Sequence, residues 1–132
     1  MGLGRYAPGI PGCLALVAAF TFGGCGDAPK APRVNSEAAR AALQTALEAW
    51  KSGQTPAALK SGSPAITAQD MDWESGQKLL SFQVLSPGQD DDANLRIPVE
   101  LTLEEQGGKE KRKKVSYVVS TSPAVTVFRE LF

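Results

Sequence analysis

The chain reads as a single α+β domain in which an N-terminal helix packs on a curved antiparallel sheet of about four strands. Three observations predict this. Ala39, Leu43, Ala46, Leu47 and Trp50 recur at helical spacing early in the chain. From Leu79 onward the apolar period changes to two, the signature of strands with one greasy face. The helical patterns all come before the strand runs instead of alternating with them, which favours helices laid on one antiparallel sheet over a series of parallel βαβ units. Residues 36–132 number 97, enough for one hydrophobic core and too few for two ordinary domains.

The first helix is expected over residues 37–52. Arg40, Gln44, Glu48 and Lys51 occupy its polar side, Asn35 or Ser36 can cap its start, Glu37 suits the positive end of the dipole, and Gly53 suits the stop. Thr55-Pro56 resembles an N-cap followed by proline at the first helical position, so a short second helix runs through Leu59 and ends by Gly62. In the strand region, Leu80, Phe82 and Val84 alternate with Ser81 and Gln83. Leu95, Ile97, Val99, Leu101 and Leu103 form a second greasy face, and Val115, Tyr117 and Val119 a third. Val125 to Phe128 is apolar on both sides and reads as a more buried strand. Turns fall at Ser86-Pro87-Gly88 with Asp90-Asp91-Asp92, at Gly107-Gly108, and at Ser122-Pro123. Pro98 lacks a backbone donor, so it is expected to face outward at an edge or to sit at a bulge.

Parity sets the register of the main hairpin. A two-residue Gly107-Gly108 loop would put Val115 opposite Glu100, grease against the polar face. A loop that also includes Lys109 pairs Leu101 with Val115, Val99 with Tyr117 and Ile97 with Val119, and brings Glu104 to Arg112 and Glu105 to Lys111. A glycine with positive φ is expected at residue 107 or 108.

Ahead of the domain, Phe22-Gly23-Gly24-Cys25 follows an apolar core over Cys13–Phe22 and a short N-terminal region carrying Arg5. This layout is that of a secretory signal. An apolar core of about ten residues is half of what a helix needs to cross a bilayer, and Pro8 and Pro11 discourage its extension. Two small residues before Cys25 resemble the lipobox of bacterial lipoproteins, with Phe22 standing where leucine is usual. Bulky Phe22 fits ordinary small-x-small cleavage poorly, and Tyr6 stands where N-myristoylation wants a hydroxyl amino acid. The expected organisation is a signal peptide over residues 1–24, a tether over 25–35 rich in proline and small or charged residues, and the domain over 36–132. Lipidated Cys25 would make the membrane a partner and place the domain in the bacterial cell envelope. Removing the signal takes away Arg5 alone among charged side chains, leaving thirteen basic against fourteen acidic. That balance gives no case for nucleic acid as a partner. Cys13 leaves with the signal, so no disulfide is expected and the core must hold the fold.

The element order resembles the cystatin-like and nuclear-transport-factor-like folds, in which an N-terminal helix packs in the curve of an antiparallel sheet. Ala46-Leu47-Glu48-Ala49-Trp50-Lys51-Ser52-Gly53 and Tyr117-Val118-Val119-Ser120-Thr121-Ser122-Pro123, with Thr126-Val127-Phe128-Arg129 after it, also look like small bacterial lipoproteins. A cystatin-type inhibitor implies a Gln-x-Val-x-Gly wedge; Gln83-Val84-Leu85-Ser86-Pro87 matches only its glutamine. Enzymes of the nuclear-transport-factor-like group imply His, Asp or Tyr inside a cone-shaped pocket. This chain has no histidine, and Tyr117 is the only tyrosine after the signal.

Three further features invite a functional reading. Asp70, Asp72 and Glu74 alternate as calcium ligands do, but an EF-hand loop from Asp70 needs glycine at Ser75 and glutamate at Ser81. A solvated turn with helix-capping aspartates is the expectation, and Asp90-Asp91-Asp92 reads as a flexible acidic loop. The run Lys109-Glu110-Lys111-Arg112-Lys113-Lys114 could attract anionic headgroups, yet a hairpin with cross-strand ion pairs explains it better. Trp50 belongs to the apolar stripe and reads as core, Trp73 is the candidate for a partly exposed pocket rim, and Tyr117 is the third candidate pocket residue. No catalytic, cofactor-binding or metal-ligating residue is assigned. The expectation is a non-enzymatic binding or structural domain. A small-ligand binder using the concave sheet face is the alternative, and an enzyme of nuclear-transport-factor-like type is a third.

Overall fold

The computed structural model describes residues 32–131. The expected signal peptide, the lipidation site Cys25 and residues 25–31 of the expected tether lie outside the described residues. The elements in chain order are Ser36–Lys51 (α1), a 3-10 helix Pro56–Ser61, Ile66–Gln69 (β1), Met71–Glu74 (α2), Lys78–Val84 (β2), Gln89–Asp91 (β3), Asn94–Glu104 (β4), Glu110–Ser120 (β5) and Val125–Arg129 (β6).

The fold is α+β, with a curled mixed sheet of six strands where about four antiparallel ones were expected. The order is β1-β6-β5-β4-β2, with β3 also pairing β4. The extra strands are short. Ile66–Gln69 offers too few residues for a period-two signal and pairs in parallel with β6. β3 lies in what reads as the acidic loop, forming a tight hairpin with β4 in which Asp91 pairs with Asn94.

The helix forms where its pattern places it. Asn35 caps α1, its Oδ1 accepting the Ala38 N–H at 3.0 Å, and Ala39, Leu43, Ala46, Leu47 and Trp50 are all buried. The second helix occupies the expected residues, with Pro56 at its start and Gly62 at its end, but winds as a 3-10 helix that buries Leu59. α1 packs on β1, β2, β4, β5 and β6, and its apolar stripe joins the inward rows of β4 and β5 in one core. The final residues of the expected tether are fastened to the domain. Val34 is buried and donates its N–H to the Asp92 carbonyl at 3.0 Å, and the Asn35 N–H donates to Thr121 Oγ1 at 3.0 Å.

The β4–β5 hairpin keeps the expected faces but shifts by two residues. Tyr117 lies across from Ile97 instead of Val99, Val99 pairs with Val115, Leu101 with Lys113, and Leu95 with Val119. The cause is the loop, which takes the five residues from Glu105 to Lys109 instead of three. Glu105 donates its N–H to the Lys109 carbonyl at 2.7 Å, and both Gly107 and Gly108 take positive φ, 96° and 84°. Glu104 consequently faces Glu110, not Arg112. Glu105 still reaches Lys111 at 3.7 Å, an exposed pair of small energetic value.

Three other strand expectations are corrected. β2 carries an irregularity between Leu79 and Ser81, so Leu79 is buried while Leu80 is displaced from the inward row, as an extra residue in one strand requires. β6 is not buried on both faces. Val127 points inward, and Phe128 is 37% exposed on the outer face. Pro98 sits inside the sheet rather than at an edge. Its carbonyl accepts from Leu85 N–H at 2.9 Å, so the face of Pro98 that lacks a donor meets the point where β2 ends and the chain turns toward β3. Gly88 in that turn has φ +99°, and a Cβ there would stand 2.9 Å from Ile97 Cγ1.

Leu47 is 1% exposed, so Leu47→Ala is expected to destabilise the protein by about 2 to 5 kcal/mol. Gln44→Ala, on the exposed side of the same helix, should change stability by less than about 0.5 kcal/mol. Urea unfolding monitored by circular dichroism measures both.

Candidate functional site

The sequence leads from β1 straight into Asp70, which caps α2. Asp70 Oδ1 accepts the N–H groups of Asp72 at 2.9 Å and Trp73 at 3.3 Å. The expected capping role is therefore present, but the expected solvation is not. Asp70 and Asp72 are 3% and 7% exposed, the buried polar residues of the core. Sheet pairing explains why. Tyr117 and Arg129 pair across β5 and β6, and both side chains turn to the inner face at the corner where α2 begins.

Four charged groups and one phenol meet there. Arg129 Nη1 donates to Asp70 Oδ1 at 3.0 Å and also to Asp72 Oδ2. Lys113 Nζ donates to Asp72 Oδ2 at 3.1 Å, the Tyr117 hydroxyl donates to Asp70 Oδ2, and Gln77 Nε2 donates to Asp72 Oδ1 at 3.3 Å. All four carboxylate oxygens are thus engaged, and two anions balance two cations. Burial works to raise the Asp72 carboxyl, but the hydrogen bonds from Arg129 and Lys113 outweigh it and hold the group below its ordinary value. Burial, then the Asp70 charge and the hydrogen bond donated to it, push the Tyr117 hydroxyl far above its ordinary value. Burial works against the Arg129 cation, and its hydrogen bond to Asp72 and the charges of both aspartates more than restore it. Such an arrangement fastens α2 and the end of β1 to β5 and β6. Glu74, the third member of the alternating carboxylates, is exposed instead. Among the described residues no three His, Cys, Asp or Glu side chains are placed to hold a metal ion.

Trp50 is core, as its place on the apolar stripe predicts, and only the exposure of Trp73 differs from the expected one. Trp73 is buried rather than a partly exposed rim, because its ring stacks on Trp50 with centroids 5.5 Å apart and planes within 8°. Each indole N–H is satisfied at 2.8 Å, Trp50 by the Gln77 carbonyl and Trp73 by the Gln54 carbonyl. The pair borders an open groove of about 710 Å³, with Gln54, Thr67, Gln69 and Lys78 among its other walls. Tyr117 does not line this groove. The three candidate pocket residues therefore divide between a surface groove and a closed polar cluster.

The basic run lies at the pole of the sheet remote from Val34. Asn94 and Ser120 pair at one end of β4–β5 and Glu104 and Glu110 at the other, a strand length of about 36 Å for eleven residues. Val34 bonds to Asp92 at the first end. Asp90 and Asp91 are exposed on β3, with Asp91 4.0 Å from Arg96.

Arg129 is the residue that sequence reasoning did not single out. The alternation Val125, Val127, Arg129 carries the signal, because it turns a cation inward and so demands a buried anion.

Replacing Arg129 with methionine should cost about 3 to 5 kcal/mol, since it leaves two carboxylates buried without their shared cation. pH dependence checks the same cluster. Folding holds the Asp72 proton less tightly, so its contribution is present above pH 3.8 and is lost as pH falls from there through the folded value. Folding holds the Tyr117 proton more tightly, so its contribution is present below pH 10.0 and is lost as pH rises above it. Urea unfolding across pH should show both limbs, and Tyr117→Phe should flatten the alkaline one.

Compared with protein-family models, with curated proteins and with solved structures, the chain matches none, so its functional reading rests on its own residues and geometry.

Proposed function

We propose that the chain is a bacterial envelope lipoprotein, anchored through lipidated Cys25, whose domain is a non-enzymatic binding module of the cystatin-like and nuclear-transport-factor-like layout. The observation that carries the non-enzymatic reading is the occupied interior. α1 fills the concavity of the sheet, and the only inward carboxylates among the described residues spend every oxygen on Arg129, Lys113, Tyr117, Gln77 and backbone N–H groups. A general acid or base needs an oxygen within reach of substrate. Binding surfaces are then external.

The chain enters the domain at the N-terminal end of α1, beside Asp92 and Thr121. The Trp50–Trp73 groove and the β4–β5 loop lie at the other end of that helix, about 24 Å away for sixteen residues. A tether from Cys25 would thus present both features away from the point of entry. Small-ligand binding is the second reading, favoured by the groove volume of about 710 Å³, within the range of ligand sites. Its place moves from the concave face to the outer groove, because α1 occupies the concavity.

Anchoring is tested by intact-mass analysis of protein extracted from membranes. A mature chain beginning at Cys25 with added acyl mass is expected, and Cys25→Ser should abolish both processing and membrane association, since durable anchoring takes two or more acyl chains. Equal processing and retention of the serine variant would refute it.

A further inference from the structure

β6 stops short of its neighbour. It pairs with β5 from Ser120 to Tyr117, and the Glu130 N–H makes one more bond to the Ser116 carbonyl at 2.8 Å. β5 continues for six more residues, Glu110 to Val115, paired on its β4 side alone among the described residues. Alternation fixes which groups are left open. Ser116 turns its carbonyl toward β6, so Lys114, Arg112 and Glu110, spaced by two, turn their N–H and C=O groups to the same open side. Lys113 and Val115 turn theirs to β4.

The side chains on this edge are equally distinctive. Residues 109–114 carry five cations against Glu110 alone. Lys113 is engaged by Asp72 and Lys111 by Glu105, whereas Lys109, Arg112 and Lys114 have no ion-pair partner within 4.0 Å among the described residues. Arg112 and Lys114 therefore combine exposed cations with backbone groups left open among the described residues. A cleft of about 490 Å³ crosses the sheet from Leu85 and Pro98 to this edge, where Lys114, Glu130 and Leu131 border it. Leu131 is 63% exposed and marks where a strand continuing the line of β6 would run.

We infer that the open edge of β5 from Glu110 to Val115 binds an acidic, extended peptide segment by strand addition. This rests on the reading of the domain as a binding module and names the partner's chemistry. The backbone of the segment bonds to Glu110, Arg112 and Lys114, and carboxylates at alternate positions lie across from Arg112 and Lys114, as main-chain affinity with alternate side-chain specificity requires. An anionic membrane would match the charge but makes no use of the open backbone groups.

The test uses the full chain in detergent and a fluorescein-labelled peptide alternating glutamate with threonine. Anisotropy should show saturable binding, with the Arg112→Glu, Lys114→Glu double variant at least about tenfold weaker, because two attractive cross-strand pairs become repulsive. The same peptide with N-methyl groups on its bonding edge should fail to bind. Amide exchange should slow at Arg112 and Lys114 on binding and stay unchanged at Lys113 and Val115. Three results would overturn the proposal. The first is equal binding of the methylated peptide, or its displacement by phosphatidylglycerol vesicles alone, which would leave charge as the sole attraction. The second is resonance shifts at Trp50 and Trp73 instead of β5, which would retain a binding module but move its site. The third is no binding, with self-association of the Arg112→Ser, Lys114→Ser variant, which would make the edge cations a guard against strand pairing.

Discussion

The buried Arg129 guanidinium, held between Asp70 and Asp72, is the constraint on which the arrangement of the domain depends. β1 has four residues and one strand neighbour, β6, and it also packs on the 3-10 helix and buries Ile66 and Ala68 in the core. The ion cluster adds a polar fastening at the corner where β1 passes into α2. It joins the corner to β6 through Arg129 and to β5 through Tyr117 and Lys113. Trp73 follows directly, and its stack on Trp50 carries the same corner to the end of α1. A buried ion pair is seldom worth more than well-packed hydrophobic residues of the same volume, yet losing one partner is costly. The cluster therefore specifies where the corner sits more than it adds to net stability.

This closure shapes the functional reading. A curved sheet with a helix at its mouth can enclose a pocket, but here the concavity is filled by Leu43, Leu47 and Trp50 against Ile97, Val99, Leu101 and Tyr117. The polar groups that do reach the interior serve one another. Features free to meet a partner lie outside: a groove beside the stacked indoles, and a cationic strand edge left open where β6 ends. The groove lies at the opposite end of the domain from Val34, and the open edge runs from mid-strand to that end, a polarity that suits a domain displayed on a tether.

The parts legible in the sequence were those with a long, uninterrupted period. Residues 36–51 carry four turns of one apolar stripe, and Leu95 to Leu103 five inward residues in succession, so α1 and β4 follow directly. The inward face of β5 was legible too, because parity alone decides it. Register was not, because it depends on how many residues the loop consumes, and two consecutive positive-φ glycines allow a five-residue loop as readily as a shorter one. β1 is too short for periodicity, and the irregularity at Leu80 breaks the period of β2. At the site, the capping role of Asp70 was local and visible. Its partner Arg129 lies 59 residues away, and only the pairing of β1, β5 and β6 brings them together. Trp73 reads as partly exposed because its sequence neighbours are polar; it borders the groove but is buried, because the ring that covers it belongs to α1.

A double-mutant cycle between Asp70 and Arg129 tests the central claim most directly, using Asp70→Asn to remove the charge while keeping a capping side chain, and Arg129→Met. If the cluster acts as one unit fastening the β1–α2 corner to the sheet, the double variant should be less destabilised than the sum of the singles by about 1 to 3 kcal/mol. Additivity within about 0.5 kcal/mol would show that the two side chains contribute independently and would contradict the account.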